Sequence, residues 1–185
     1  MAGRYLSLLE QRACYCGGAH ANVSKDFRAY RIDNTHGPTL TGIYLREIFG
    51  EGVIFEALRN DKVVKAALVE SQKGAPTNLD GLLQALNGQS VDTGSCRYMF
   101  DEDLLNRFAF FDVQGDRVAV RISLPYDTES CRGSTAQIGI WLPVPAELRN
   151  DLFAAKKRTA GFVMADAERV SKGRQTGVSA SDPPR

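Results

Sequence analysis

The chain has 185 residues, of which 43% are apolar and 24% charged, with a formal net charge of +1. That length supports one domain with a real core, and the composition is that of a globular protein rather than a disordered or fibrous one. A balance so close to zero leaves no electrostatic footprint for nucleic acid or an anionic membrane.

Charge is spread unevenly along the chain. Residues 37–145 carry ten Lys/Arg against fourteen Asp/Glu, while residues 146–185 carry eight against five. The centre is therefore mildly acidic and the ends mildly basic, as solvated surfaces commonly are. No run approaches the ~20 apolar residues that cross a bilayer. The first residues, Met1 to Arg12, are interrupted by charge and lack the apolar core of a signal peptide. Four Cys are too few for a disulfide scaffold. The expectation is a cytoplasmic protein with reduced thiols, not associated with a membrane.

In chain order, residues 4–12 fit a short helix with Tyr5, Leu6 and Leu9 on one side. Phe27 to Ile32 reads as a short strand, and Asp33 to Pro38 as a loop. Leu40, Ile43, Tyr44 and Ile48 fall at helical spacing, with Gly50 placed as a stop. Residues 53–58 suit either a strand or a helix. Asn60 or Asp61 can cap a helix over 61–72, where Val63, Val64, Ala67 and Leu68 form a stripe. Thr77 or Asn78 caps the best-bounded helix, lined by Leu79, Leu82, Leu83 and Leu86 and followed by Gly88. Residues 89–97 are polar and turn-rich, and 98–100 fit a short strand. Asp101-Glu102-Asp103 reads as an acidic cap.

The most regular signal is Arg107 to Leu142. Val118, Val120, Ile122 and Leu124 alternate with Arg117, Ala119, Arg121 and Ser123. That period of two puts one face on a core. Gly115-Asp116 supplies the turn of a hairpin with 107–113, and Ile138, Ile140 and Leu142 repeat the alternation as a third strand. Pro145 opens a final helix, with Glu147 early and Lys156, Lys157 and Arg158 late, as the helix dipole favours. The expected fold class is α+β: a small antiparallel sheet of three or more strands over 107–142, packed against several helices. The expected domain covers 1–170, with a disordered tail over 171–185.

Two clusters carry reactive side chains. Cys14, Cys16 and His20 offer soft ligands for a metal such as zinc, although the usual second ligand pair is missing, so no metal or other cofactor is expected. The loop 125–135 is longer than a hairpin needs, and long loops on rigid sheets often carry function. It presents Tyr126, Asp127, Glu129 and Arg132 as binding residues. It also presents Cys131 beside Arg132, which favours a thiolate, with His20 or His36 as the base of a Cys/His pair. The basic residues between Arg149 and Arg174 are broken by Asp151, Asp166 and Glu168 without aromatic interleaving, which does not describe a nucleic-acid site.

Two functions follow. The first is a non-catalytic module of a bacterial cytosol that neutralises or escorts a partner protein, immunity- or chaperone-like. The mildly acidic body and the polar loop suit a basic protein partner. The second is a small Cys/His-dependent hydrolase or transferase using the 125–135 loop. Whether the chain is an enzyme stays open at this level.

Overall fold

The structure is a computed structural model, described here for residues 4–15, 17, 21–33, 39–70, 75–126 and 131–156. The described residues form a mixed α+β fold of eight strands and five helices. The strands are β1 (Tyr5–Cys14), β2 (Asn22–Asp33), β3 (Thr39–Gly42), β4 (Ser90–Thr93), β5 (Cys96–Met99), β6 (Phe108–Gln114), β7 (Arg117–Leu124) and β8 (Ala136–Pro143). The helices are α1 (Leu45–Ile48), α2 (Glu51–Asn60), α3 (Lys62–Glu70), α4 (Leu79–Leu86) and α5 (Arg149–Lys156). The expected single sheet is three antiparallel ones, ordered β1-β2-β3, β4-β5 and β6-β7-β8.

The sheet over 107–142 forms where the alternation puts it. Gly115 takes φ +57° in the β6–β7 turn, a value that suits glycine. Val118, Val120, Ile122 and Leu124 share a face with Phe108, Ile138, Ile140 and Leu142, and all are buried. The same core takes Ile54, Phe55 and Leu58 from α2, Leu79, Leu82 and Leu86 from α4, and Leu148 and Leu152 from the C-terminal helical segment. Asp61 caps α3 by accepting from the N–H groups of Val63 (2.8 Å) and Val64 (3.1 Å). Asn78 caps α4 by accepting from Gly81 N–H at 2.8 Å. Both caps stand where the sequence places them.

Three local expectations are overturned. The helix expected over 4–12 is instead strand β1 from Tyr5 onward, which pairs with β2 over ten positions, from Tyr5↔Arg31 to Cys14↔Asn22. A continuous ladder of that length satisfies more backbone than a lone two-turn helix, and tertiary context decides such short segments. The helix expected from Thr39 breaks into β3, one turn of α1, and α2, which starts after Gly50. The polar stretch 89–97 holds β4 and the start of β5, a hairpin turned at Gly94 with φ +67° and completed by Tyr98 and Met99. The final helix is described only to Lys156, so Lys157 and Arg158, the rest of the expected domain to 170 and the tail 171–185 lie outside the described residues.

The β1–β2 hairpin is tied to the β6–β7–β8 sheet by hydroxyls. Ser7 Oγ accepts from Phe110 N–H and Ser123 Oγ from Phe27 N–H, each at 3.0 Å. Tyr5 meets Phe110 edge-on at 6.1 Å between ring centroids. Arg107, 5% exposed, closes the junction by pairing with Asp26 (3.7 Å) and Asp101.

Candidate functional site

The 125–135 loop is anchored at both ends to the β4–β5 hairpin. Met99 N–H donates to Pro125 C=O at 2.9 Å, and Tyr126 bridges to Tyr98. Tyr98 Oη donates to Ser134 Oγ at 3.0 Å, and Ser134 Oγ donates to Cys131 C=O. Cys131 is bonded to Cys96 as a disulfide, with Cα atoms 5.5 Å apart. That separation is within the ordinary range for the bond. The expectation of reduced thiols is therefore corrected: none of the described cysteines is free.

This geometry bears directly on the reactive residues. Cys131 is 3% exposed and its sulfur is in a covalent bond, so it presents no thiolate for nucleophilic attack. His20 and His36, its expected base partners, lie outside the described residues. Cys14 is itself disulfide-bonded and so is not a thiolate metal ligand, while Cys16 and His20 fall outside the described residues. Among the described residues no group of three His, Cys, Asp or Glu is placed to hold a metal. Of the four binding residues, Tyr126 donates from Oη to Asn22 Oδ1 at 3.0 Å, and Arg132 is half-buried. Asp127 and Glu129 lie outside the described residues.

A groove of about 710 Å³ runs between α2 and β8. Gly52, Val53, Glu56, Ala57 and Asn60 form its helical wall, and Gly139, Ile140, Trp141 and Pro143 its strand wall. Its backbone chemistry follows from the ladder. Val144 N–H donates to Asp116 C=O at 2.7 Å, which makes 116 and 144 a hydrogen-bonded pair. Alternation along an antiparallel ladder then gives Val118/Leu142, Val120/Ile140 and Ile122/Ile138 the bonds to β7. The N–H and C=O groups of Gln137, Gly139 and Trp141 are left directed away from β7. Consistent with this, Trp141 C=O accepts instead from the side chain of Arg117, at 2.9 Å from Nη2. β8 is eight residues long and uncharged.

The groove was not among the sequence-derived candidates. Its signal was present, in the uncharged run Ala136 to Pro143 with a lone Trp facing opposite to Ile138, Ile140 and Leu142. What the sequence does not display is which side of the strand lacks a paired strand among the described residues.

A second polar cluster lies on the β1–β2 hairpin. Tyr30 Oη donates to Glu10, and Arg12 Nη2 donates to the same carboxylate at 3.0 Å. The Tyr30 hydrogen bond, helped by the positive charges of Arg12 and Arg28, holds the Glu10 carboxyl below its ordinary range. The same bond to a carboxylate raises the Tyr30 hydroxyl above its own.

No helix among the described residues is long and apolar enough to cross a membrane. No family model, curated protein or solved structure matches the chain.

Proposed function

We propose that this chain is a non-catalytic protein-binding module, immunity- or chaperone-like in kind, that takes an extended segment of its partner against the edge of β8 that no described strand pairs. The observation that supports this reading is the run of outward N–H and C=O groups at Gln137, Gly139 and Trp141 beside the wall of α2. Strand addition satisfies such groups, and affinity then comes from the main chain while pockets read alternate side chains. Ala57 and Val53 offer a small apolar wall to one set of side chains, and the Trp141 ring a flat surface to the other. The loop residues Tyr126, Asp127, Glu129 and Arg132 form the second contact surface in this proposal.

The Cys96–Cys131 disulfide argues for an oxidising compartment rather than the cytoplasm first expected, since cytosolic thiols are kept reduced. The same bond, by holding Cys131 as a disulfide, weighs against the hydrolase or transferase reading.

The test uses a backbone substitution. Gly139 N–H points away from β7, so Gly139→Pro removes an outward donor and leaves the β7–β8 bonds in place. A partner cross-linked in the native host is purified and titrated against wild type, Gly139→Pro and Arg132→Ala. The expected result is a loss of at least about tenfold for Gly139→Pro at unchanged thermal stability. A loss confined to Arg132→Ala moves the contact to the loop and removes strand addition. A partner that binds all three equally ends both surfaces.

A further inference from the structure

We infer that the pocket between β2, β3 and the 104–106 turn binds a small oxyanion, a carboxylate or a phosphate, with Arg28 as its main contact. Arg28 is half-buried yet poorly satisfied. Its hydrogen bond among the described residues is a long one, Nη1 to Asn106 C=O at 3.5 Å. Its Nε is sealed from solvent and has no hydrogen-bond partner. A guanidinium carries five donors in a planar fork, and leaving them unmet inside a protein is costly. Carboxylate and phosphate match that fork with two parallel bonds, and because Nε is closed to solvent, the terminal Nη1 and Nη2 groups are the ones an anion in the pocket would meet.

The surroundings suit an anion. Arg12 lines the same pocket of about 200 Å³. Glu10 is hydrogen-bonded by Arg12 and Tyr30 and also feels the charge of Arg28, but it does not line the pocket. The charged residues that do line it are the two guanidinium groups. Gly42 pairs with Tyr30 across β2 and β3, and a Cβ there would meet nothing within 4 Å, so the floor is open. Tyr30 and Tyr44 also line the pocket. The volume is below the about 300 Å³ at which drug-sized ligand sites begin, which selects a small ion. The pocket shares no lining residue with the α2–β8 groove, so it stands independently of the partner-binding proposal.

The test is an NMR titration of the full chain at low ionic strength, with inorganic phosphate in one arm and acetate in the other. Saturable shifts at Arg28, Gly42 and Asn106, with a dissociation constant in the millimolar range, are expected. Arg28→Gln is expected to weaken binding about tenfold or more. Gly42→Val, which fills the floor and leaves both arginines in place, is expected to do the same, and it decides the matter if Arg28→Gln does not fold. Tighter phosphate binding identifies a phosphoryl ligand and tighter acetate binding a carboxylate, and either supports the site. Absence of saturable shifts up to about 10 mM, or wild-type binding by Gly42→Val, overturns it.

Discussion

Replacing both Cys96 and Cys131 by Ala removes one cross-link and little else. The bond spans a sequence separation of 35 residues. Closing a loop of that length costs the unfolded chain about 13 cal/mol/K in the chain-entropy account, or about 4 kcal/mol at room temperature. The native state should survive the change, because Met99–Pro125 and Tyr98–Ser134 still hold the loop to β5. With a urea slope of about 2 kcal/mol/M, the unfolding midpoint should fall by about 2 M. Equilibrium urea unfolding followed by tryptophan fluorescence reads this directly, since Trp141 is the one tryptophan. Reducing the wild type should produce a shift at least as large, because Cys14 is also in a disulfide. A midpoint change below about 0.5 M in the double variant would refute the reasoning. So would wild-type protein, purified without reductant, in which Cys96 and Cys131 both react with a thiol reagent.

Three further outcomes are expected. Arg107→Met should cost about 2–3 kcal/mol in chemical denaturation, because it strands Asp26 and Asp101 at the junction of two sheets, while Arg46→Ala should cost under about 0.5 kcal/mol since its pairs with Glu51 and Asp80 are exposed. Equal losses for the two would contradict this reading of burial. Asn78→Ala should destabilise by about 1 kcal/mol through the lost cap on α4, and Asn78→Asp should restore most of it. For Glu10 the folded carboxyl is depressed below its ordinary 4.5, so its contribution is present above that pH and is lost as pH falls through the folded value. For Tyr30 the folded hydroxyl is raised above its ordinary 10.0, so its contribution is present below that pH and is lost as pH rises through the folded value. Tyr30→Phe should flatten the stability profile at both ends, and an unchanged profile would separate the two groups.

What the sequence could and could not show divides along a physical line. Caps and turns are local chemistry, so Asp61, Asn78 and Gly115 were legible in their own neighbourhoods. Alternation is legible when one face is sealed, as at Val118 to Leu124. It fails for β1 and β2, most of whose residues are half-buried or exposed on both faces, so no clean period of two exists to be read. The Cys96–Cys131 pair was also hidden, since an even count of four Cys fixes neither pairing nor oxidation state. Among the reactive residues, identity and nearness in sequence pointed to a thiolate at Cys131. Contact with Cys96 across 35 positions decided otherwise.

The two edges of the β6-β7-β8 sheet are treated differently, and the contrast bears on function. Unpaired strand edges invite unwanted pairing, and proteins blunt them with side chains, bulges or cover. The β6 edge is blunted twice. Ser7 Oγ takes the N–H of Phe110, and the register slips by a bulge between Phe110 and Asp112. The β8 edge carries protection only near its end, where Pro143 has no N–H to offer and Arg117 covers the carbonyl of Trp141. Between Gln137 and Trp141 neither charge nor bulge intervenes. A fold that closes one edge with two devices and leaves the outward groups of Gln137 and Gly139 and the Trp141 N–H uncovered among the described residues has placed that backbone beside α2. Arg117 is then the guard to remove: Arg117→Ala should free the Trp141 carbonyl. If strand addition is the mode of binding, the substitution should tighten partner affinity or promote self-association on sizing chromatography. If affinity falls instead, Arg117 is itself a contact, and the bare edge is not what the partner reads.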